Sequence, residues 1–229
     1  MRVFRFIIAL FLLHAPCEAA GPNGKTSCRF LGLEGIEAPP PLLNVSPDGV
    51  EVACTVPIAT LSPDTACFAK GEAMAFVAAS DRKLVATATI PAGVTSAILV
   101  FIPAPKPAQV PWKVLVIDDS AKTLPDAGAF VANLYNQEVR FVLGASKIML
   151  KAGTSHSLPR PEPRDEFNMA PVVFQFQQKQ DKWATASESM LRFVPGARYL
   201  MFAYVDPASG RPRIMTCKDS YRPPPPPPP

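Results

Sequence analysis

Few side chains in this sequence are placed to do chemistry. Once an N-terminal export segment is set aside, a single histidine remains, His156, which is one imidazole for proton transfer and too few for a multi-histidine metal site. Ser155 and Ser157 flank it, but neighbours on a strand face opposite ways, so adjacency makes no Ser–His pair. Asp118 or Asp119 could orient His156 while another serine attacks; the competing reading is a solvent-facing histidine at a strand end. A glycoside-cleaving pair of carboxylates would have to converge from Glu51, Glu72, Asp118, Glu138, Glu162 or Glu188, and spacing does not bring any two of them together. The expectation is therefore no catalytic set, no cofactor and no metal.

The cysteines carry a stronger signal. Cys17 leaves with the export segment, and Cys28, Cys54, Cys67 and Cys217 remain. An even number in an oxidising compartment points to disulfides, with three pairings open. Cys54–Cys67, closing a Pro-rich excursion, is the preferred pair, with Cys28–Cys217 tying the chain ends together. Four thiols could also hold zinc, but separations of 26, 13 and 150 residues lack the close pairs that build a tetrahedral site. Trp112, Trp183, Tyr135 and His156 are the candidates for contact with a glycan or small ligand, and the aromatic ones fit a sandwich core or rim equally well.

Two local patterns fail for want of context. Gly24-Lys25-Thr26 has the last letters of a phosphate loop, yet its first glycine would fall on Ala19 and no strand precedes it. Residues 113–120 (KVLVIDDS) resemble the first strand of a bacterial response-regulator receiver, whose paired acids help to hold magnesium. The next carboxylate at a suitable separation is Asp165, within PRPEPRD, where no buried strand can present it. Asp118 and Asp119 read instead as residues that end a strand and cap a turn.

Residues 1–19 have the form of a signal peptide: Arg2 and Arg5, then FIIALFLL at 6–13, then small residues around a cut after Ala19. The apolar stretch is short for a membrane span, so no stable transmembrane segment is expected after processing. Cys17 as a lipid-attachment site is the weaker alternative, because His14-Ala15-Pro16 lacks the small residue expected just ahead of it. The formal charge is only +4, and no Lys/Arg cluster is interleaved with aromatics, which argues against a nucleic-acid partner.

Short runs of Val, Phe, Ile and Leu between Gly, Pro, Asn and Asp punctuation place strands along the rest of the chain. The clearest group lies within 128–157, where Val139, Phe141 and Leu143 alternate with Arg140 and Val142. Strands are expected at 72–79, 83–90, 95–102, 112–120 and 170–177, with 28–33 an edge strand and 187–194 one more edge. Residues 42–56 read as a hairpin turning at Ser46-Pro47-Asp48-Gly49. The strongest hairpin pairs 199–205 with 211–216, and Pro212 makes its second strand an edge. Residues 57–71 read as an irregular loop, 103–111 as a break that either divides two domains or crosses a sandwich, and 158–168 as a solvated Pro-rich loop. Trp183 is expected to pack back on the core. Of the 28 prolines, seven form the run 223–229, an exposed polyproline segment and a disordered tail from 221. The fold class is all-β: an antiparallel β-sandwich over 20–220, immunoglobulin-like or of related topology.

The stretch FVANLYNQEVRFVLG, followed by KxxLKAGxS at Lys147 to Ser155 and by the hairpin FAYVDPASGRPRI, resembles poorly characterised exported bacterial β-sandwich proteins over about 110–217. The resemblance brings no functional residue with it. The signal peptide, the all-β pattern with Pro-rich loops and the lack of a catalytic set together give the expectation of a periplasmic or extracellular protein, peripheral to the envelope: a non-catalytic structural or protein-interaction module whose partner is another envelope protein or a second copy. The alternatives are a glycan or small-ligand binding domain and, behind it, a secreted hydrolase.

Overall fold

A computed structural model describes residues 24–105, 107–179 and 182–220; the expected signal peptide at 1–19 and the Pro-rich tail at 221–229 lie outside them. The first half of the chain supplies β1 (Lys25–Gly32), β2 (Leu42–Val45), β3 (Glu51–Cys54), β4 (Thr65–Phe68), β5 (Ala73–Ala78), β6 (Leu84–Thr89), β7 (Ser96–Pro103) and β8 (Trp112–Asp118). The second half supplies β9 (Ala129–Asn133), β10 (Val139–Leu143), β11 (Ser146–Leu150), β12 (Ser155–Leu158), β13 (Met169–Lys179), β14 (Lys182–Arg192), β15 (Ala197–Val205) and β16 (Pro212–Ser220). Among the described residues no helix is long and apolar enough to cross a membrane.

The all-β expectation holds, but the architecture is more than one sandwich. The first eight strands form one sheet in the order β3-β2-β5-β6-β8-β7-β1-β4, curled into a near-closed barrel. The others form two four-stranded sheets, β12-β9-β15-β16 and β11-β10-β13-β14, packed face to face. An antiparallel, immunoglobulin-like sandwich is thus corrected on two counts: the barrel, and the parallel pairings β1 with β7, β6 with β8, and β9 with β15.

Alternation builds three cores in series. On β7, Ala97, Leu99 and Phe101 point into the barrel, while Ile98 and Val100 point out. The outward set, with Leu31 of β1 and Ile117 of β8, meets Phe130 of β9 and Leu200, Phe202 and Tyr204 of β15. The opposite faces of β9 and β15, through Val131, Tyr199, Met201 and Ala203, pack on Phe141 of β10 and Phe174 of β13. The β12-β9-β15-β16 sheet is therefore a middle layer, which explains why β9 and β15 are apolar at nearly every position. Inside the barrel Phe30, Phe76 and Phe101 form a ring cluster with centroids 5.5–6.2 Å apart.

Several local expectations change with this arrangement. β1 is not an edge strand but lies between β7 and β4, because its outward residues are needed against the middle layer. Residues 57–71 contain β4, four residues long after Pro63 and too short to announce itself. Residues 103–111 link β7 to β8 within the barrel; the chain leaves the barrel at 119–128 instead. β14 is the edge expected near 187–194, and β16 ends the middle sheet with Pro212 at its start.

Candidate functional site

Asp118 ends β8, Asp119 follows it, and the two take different roles. Asp118 Oδ2 accepts from Ser120 Oγ (2.8 Å) and Thr123 Oγ1 (3.4 Å), capping the turn as expected. Asp119 enters a buried ionic ring at one end of the barrel–sandwich interface, which local reading does not anticipate. Arg29, outward-facing between the inward Cys28 and Phe30 of β1, donates through Nη1 to Asp219 Oδ1 (2.8 Å) and through Nη2 to Asp219 Oδ2 (2.9 Å) and Asp119 Oδ2 (2.7 Å). Arg198 of β15 donates from Nε to Asp219 Oδ2 (2.8 Å), from Nη2 to Asp119 Oδ1, and from Nη1 to Leu124 O (3.2 Å). Arg198 and Asp219 are a cross-strand pair of the β15–β16 ladder.

The ring balances two positive charges against two negative ones, and its side chains are 3–12% exposed. Such a cluster persists only when each buried charge is paired. Burial alone would raise the Asp219 carboxyl, but the hydrogen bond and charge of Arg29, with those of Arg198, outweigh it and hold the pKa below its ordinary value. Beside the ring, burial pushes the Cys217 thiol up to about 11. All four carboxylate oxygens of Asp119 and Asp219 receive arginine donors, so the arrangement fastens two layers rather than presenting a base to a substrate. Its members stand at 29, 119, 198 and 219, and the Arg198–Asp219 register was the one signal a sequence reading could have used.

The residues expected to contact a ligand are scattered. Trp112 is half-buried against the barrel core. His156 is exposed on β12 opposite Val131 of β9, and among the described residues no hydrogen bond joins it to Asp118 or Asp119. Ser157, on the other face of that strand, donates to Thr123 O (2.6 Å). Tyr135 meets Phe176 edge to face at 5.3 Å and lines a cleft of about 610 Å³ with Gln137, Thr185, Arg211 and Pro212. Trp183 does not pack back on the core: it lies on the outer face of the β11-β10-β13-β14 sheet with the Arg140 guanidinium 4.4 Å over its ring. That stacking covers the indole face a sugar would use.

This outer face carries two of the exposed large hydrophobic side chains. Cross-strand pairs place Met149, Arg140, Gln175 and Thr185 in one row and Lys147, Val142, Val173 and Glu188 in the next, with Met190 opposite Pro171. Met149 and Met190 are 47% and 48% exposed. A shallow cleft of about 430 Å³ runs along Arg140, Val142, Lys147, Met149, Val173 and Gln175. Beyond it β14 ends the sheet with no neighbour in the strand order.

The cysteines divide between cores. Cys28, Cys54 and Cys67 lie inside the barrel, Cys54 Sγ 4.0 Å from Cys67 Sγ, whereas Cys217 lies in the interface core. The expected Cys28–Cys217 pair is corrected by β1 itself, whose alternation turns Cys28 away from the side on which Cys217 stands. Asn133, in the Asn-containing stretch noted in the sequence, is fully buried and works structurally: Nδ2 donates to Gln137 O (2.8 Å) and Leu150 O (2.9 Å), and Oδ1 accepts from Tyr135 N (3.0 Å).

Compared with known protein families and with curated proteins, the chain matches none.

Proposed function

We propose that this protein is a non-catalytic interaction module of the cell envelope, exported by its N-terminal segment, that binds another envelope protein or a second copy through the outer face and free edge of the β11-β10-β13-β14 sheet. The observation that carries this reading is an apolar diagonal, Met149, Val142, Val173 and Met190, which crosses three successive cross-strand rows toward an eleven-residue edge strand. An edge strand offers unpaired backbone donors and acceptors to an added strand, and the methionines adapt their shape to an incoming apolar surface. The barrel, fastened to the middle layer by buried ion pairs, holds the sandwich rigid behind that face.

A second reading is supported by the cleft at Tyr135 and Arg211, which has the size and mixed lining of a small-ligand site. A photo-crosslinking residue placed at Met190 in envelope preparations should yield a discrete protein adduct. The same residue at Val50, 53% exposed on the barrel, should not. No adduct at Met190, or equal adducts at both positions, overturns the interaction reading. Ester, glycoside or phosphate-ester hydrolysis that disappears with His156→Ala would replace it with an enzyme.

A further inference from the structure

Backbone ladders join the eight barrel strands in sequence, and among the described residues none joins the two ends. β3 and β4 are those ends, and they come close to each other without pairing. Side chains fill the gap. Asn44, fully buried on β2, donates from Nδ2 to Phe68 O (3.0 Å) and accepts at Oδ1 from Phe68 N (2.7 Å), standing in for two ladder bonds on β4. Beside it Cys54, the last residue of β3, and Cys67 of β4 face each other with sulfurs 4.0 Å apart, both buried.

We propose that Cys54 and Cys67 form a disulfide that staples the seam of the barrel, and that it is the only disulfide among the described residues, Cys28 and Cys217 remaining thiols. The rival partner for Cys67 is Cys28. The β1–β4 register, however, sets Cys28 opposite Thr65 and Cys67 opposite Thr26. Residues so offset are diagonal neighbours: the Cys28 thiol touches Cys67, but Cα atoms about 7–8 Å apart lie beyond the usual span of a disulfide. No ladder constrains β3 against β4, so Cys54 and Cys67 can close the remaining distance by side-chain rotation and a small shift of the short edge strand β3. Cys217 lies across the wall of the barrel and reaches neither of them.

Each thiol gives up its proton and the pair gives up two electrons as the S–S bond forms. The acceptor is a small-molecule or protein disulfide, whose S–S bond is reduced to two thiols by thiolate attack through a mixed disulfide. In the closed barrel that attack is hindered. The hydrogen bond to Cys67, then burial, holds the Cys54 thiol far above the ordinary thiol range, and the contact with Cys28 does the same for Cys67. The staple is therefore inserted while the barrel folds, before the seam shuts.

The test uses the full chain and oxidised glutathione, added either during refolding from denaturant or to the reduced, folded protein. Non-reducing peptide maps after refolding should show Cys54 joined to Cys67, with Cys28 and Cys217 alkylated once the protein is unfolded. The folded, reduced protein should gain the bond at least about tenfold more slowly. Reduction should lower the melting midpoint by about 6–12 °C, the effect of opening a loop of this length in a chain of this size. Cys28→Ala should keep both the bond and the drop, and Cys54→Ala should show no drop. Alkylation of all of Cys28, Cys54, Cys67 and Cys217 after oxidative refolding, a Cys28–Cys67 or Cys28–Cys217 bond instead, equal rates in the two arms, or a midpoint difference below about 2 °C would each overturn the proposal.

Discussion

Replacing Asp219 by asparagine keeps the side chain's shape and removes one negative charge from the ionic ring. Asp219 accepts three arginine donors, two from Arg29 and one from Arg198, at 2.8–2.9 Å. The amide can keep one acceptor but turns an N–H toward a guanidinium at the other position. Two buried arginines are then left to share Asp119. Hydrogen bonds to charged groups contribute about 1.5–3 kcal/mol each, and breaking a buried pair costs about 3–5 kcal/mol, so a loss of about 4 kcal/mol is expected. In a chain of this size that lowers the melting midpoint by about 8–16 °C. Equilibrium urea unfolding followed across pH tests the cause as well as the size. The folded pKa of Asp219 lies below its unfolded value, so in the interval between the two the unfolded state binds more protons. The stabilisation is complete above the unfolded pKa, near 4, and is lost as pH falls through the folded value. The gap between wild type and Asp219→Asn should stay level from about pH 8 to 5 and narrow below about pH 4. A gap under about 1 kcal/mol at pH 7, or one that is the same at pH 3 and pH 6, refutes the reasoning.

Two further outcomes test the seam and the exposed sheet. Asn44→Ala leaves the amide and carbonyl of Phe68 and the carbonyl of Ala75 without their side-chain partner, and should cost about 3 kcal/mol in urea unfolding; a cost under about 1 kcal/mol would mean that other groups close the gap. Arg140→Ala uncovers the Trp183 ring, so its emission, read in a Trp112→Phe background, should shift to longer wavelength while stability changes by less than about 1 kcal/mol. An unshifted spectrum would place Trp183 elsewhere than beneath Arg140.

Features set by neighbours in the chain were legible in the residues. The alternation of Val139, Phe141 and Leu143 names the buried face of β10 because side chains on a strand repeat every second position. Ser46-Pro47-Asp48-Gly49 names its turn because Gly49, at a φ of 81°, takes a conformation that other residues resist, and Ser46 Oγ accepts from Val50 N within the same few residues. The hairpin of β15 and β16 was legible for the same reason: Asp206 organises its own turn, accepting from Ala208 N and Ser209 Oγ. Features that depend on distant partners waited for the tertiary structure. The nearly unbroken apolar run of β15, interrupted by Arg198, tells that both faces are covered, but not that one lies against a barrel and the other against a second sheet. β4 is a strand because β1 pairs with it, not because TACF demands it. Nothing near Arg29 marks it as bound to Asp119 and Asp219, 90 and 190 residues away, since a charge selects its partner by distance in space and by dielectric surroundings. Cys28 and Cys217 show the limit most plainly: cysteine content could name a set of pairings, but only the direction in which β1 turns its side chains puts the two sulfurs on opposite sides of one wall.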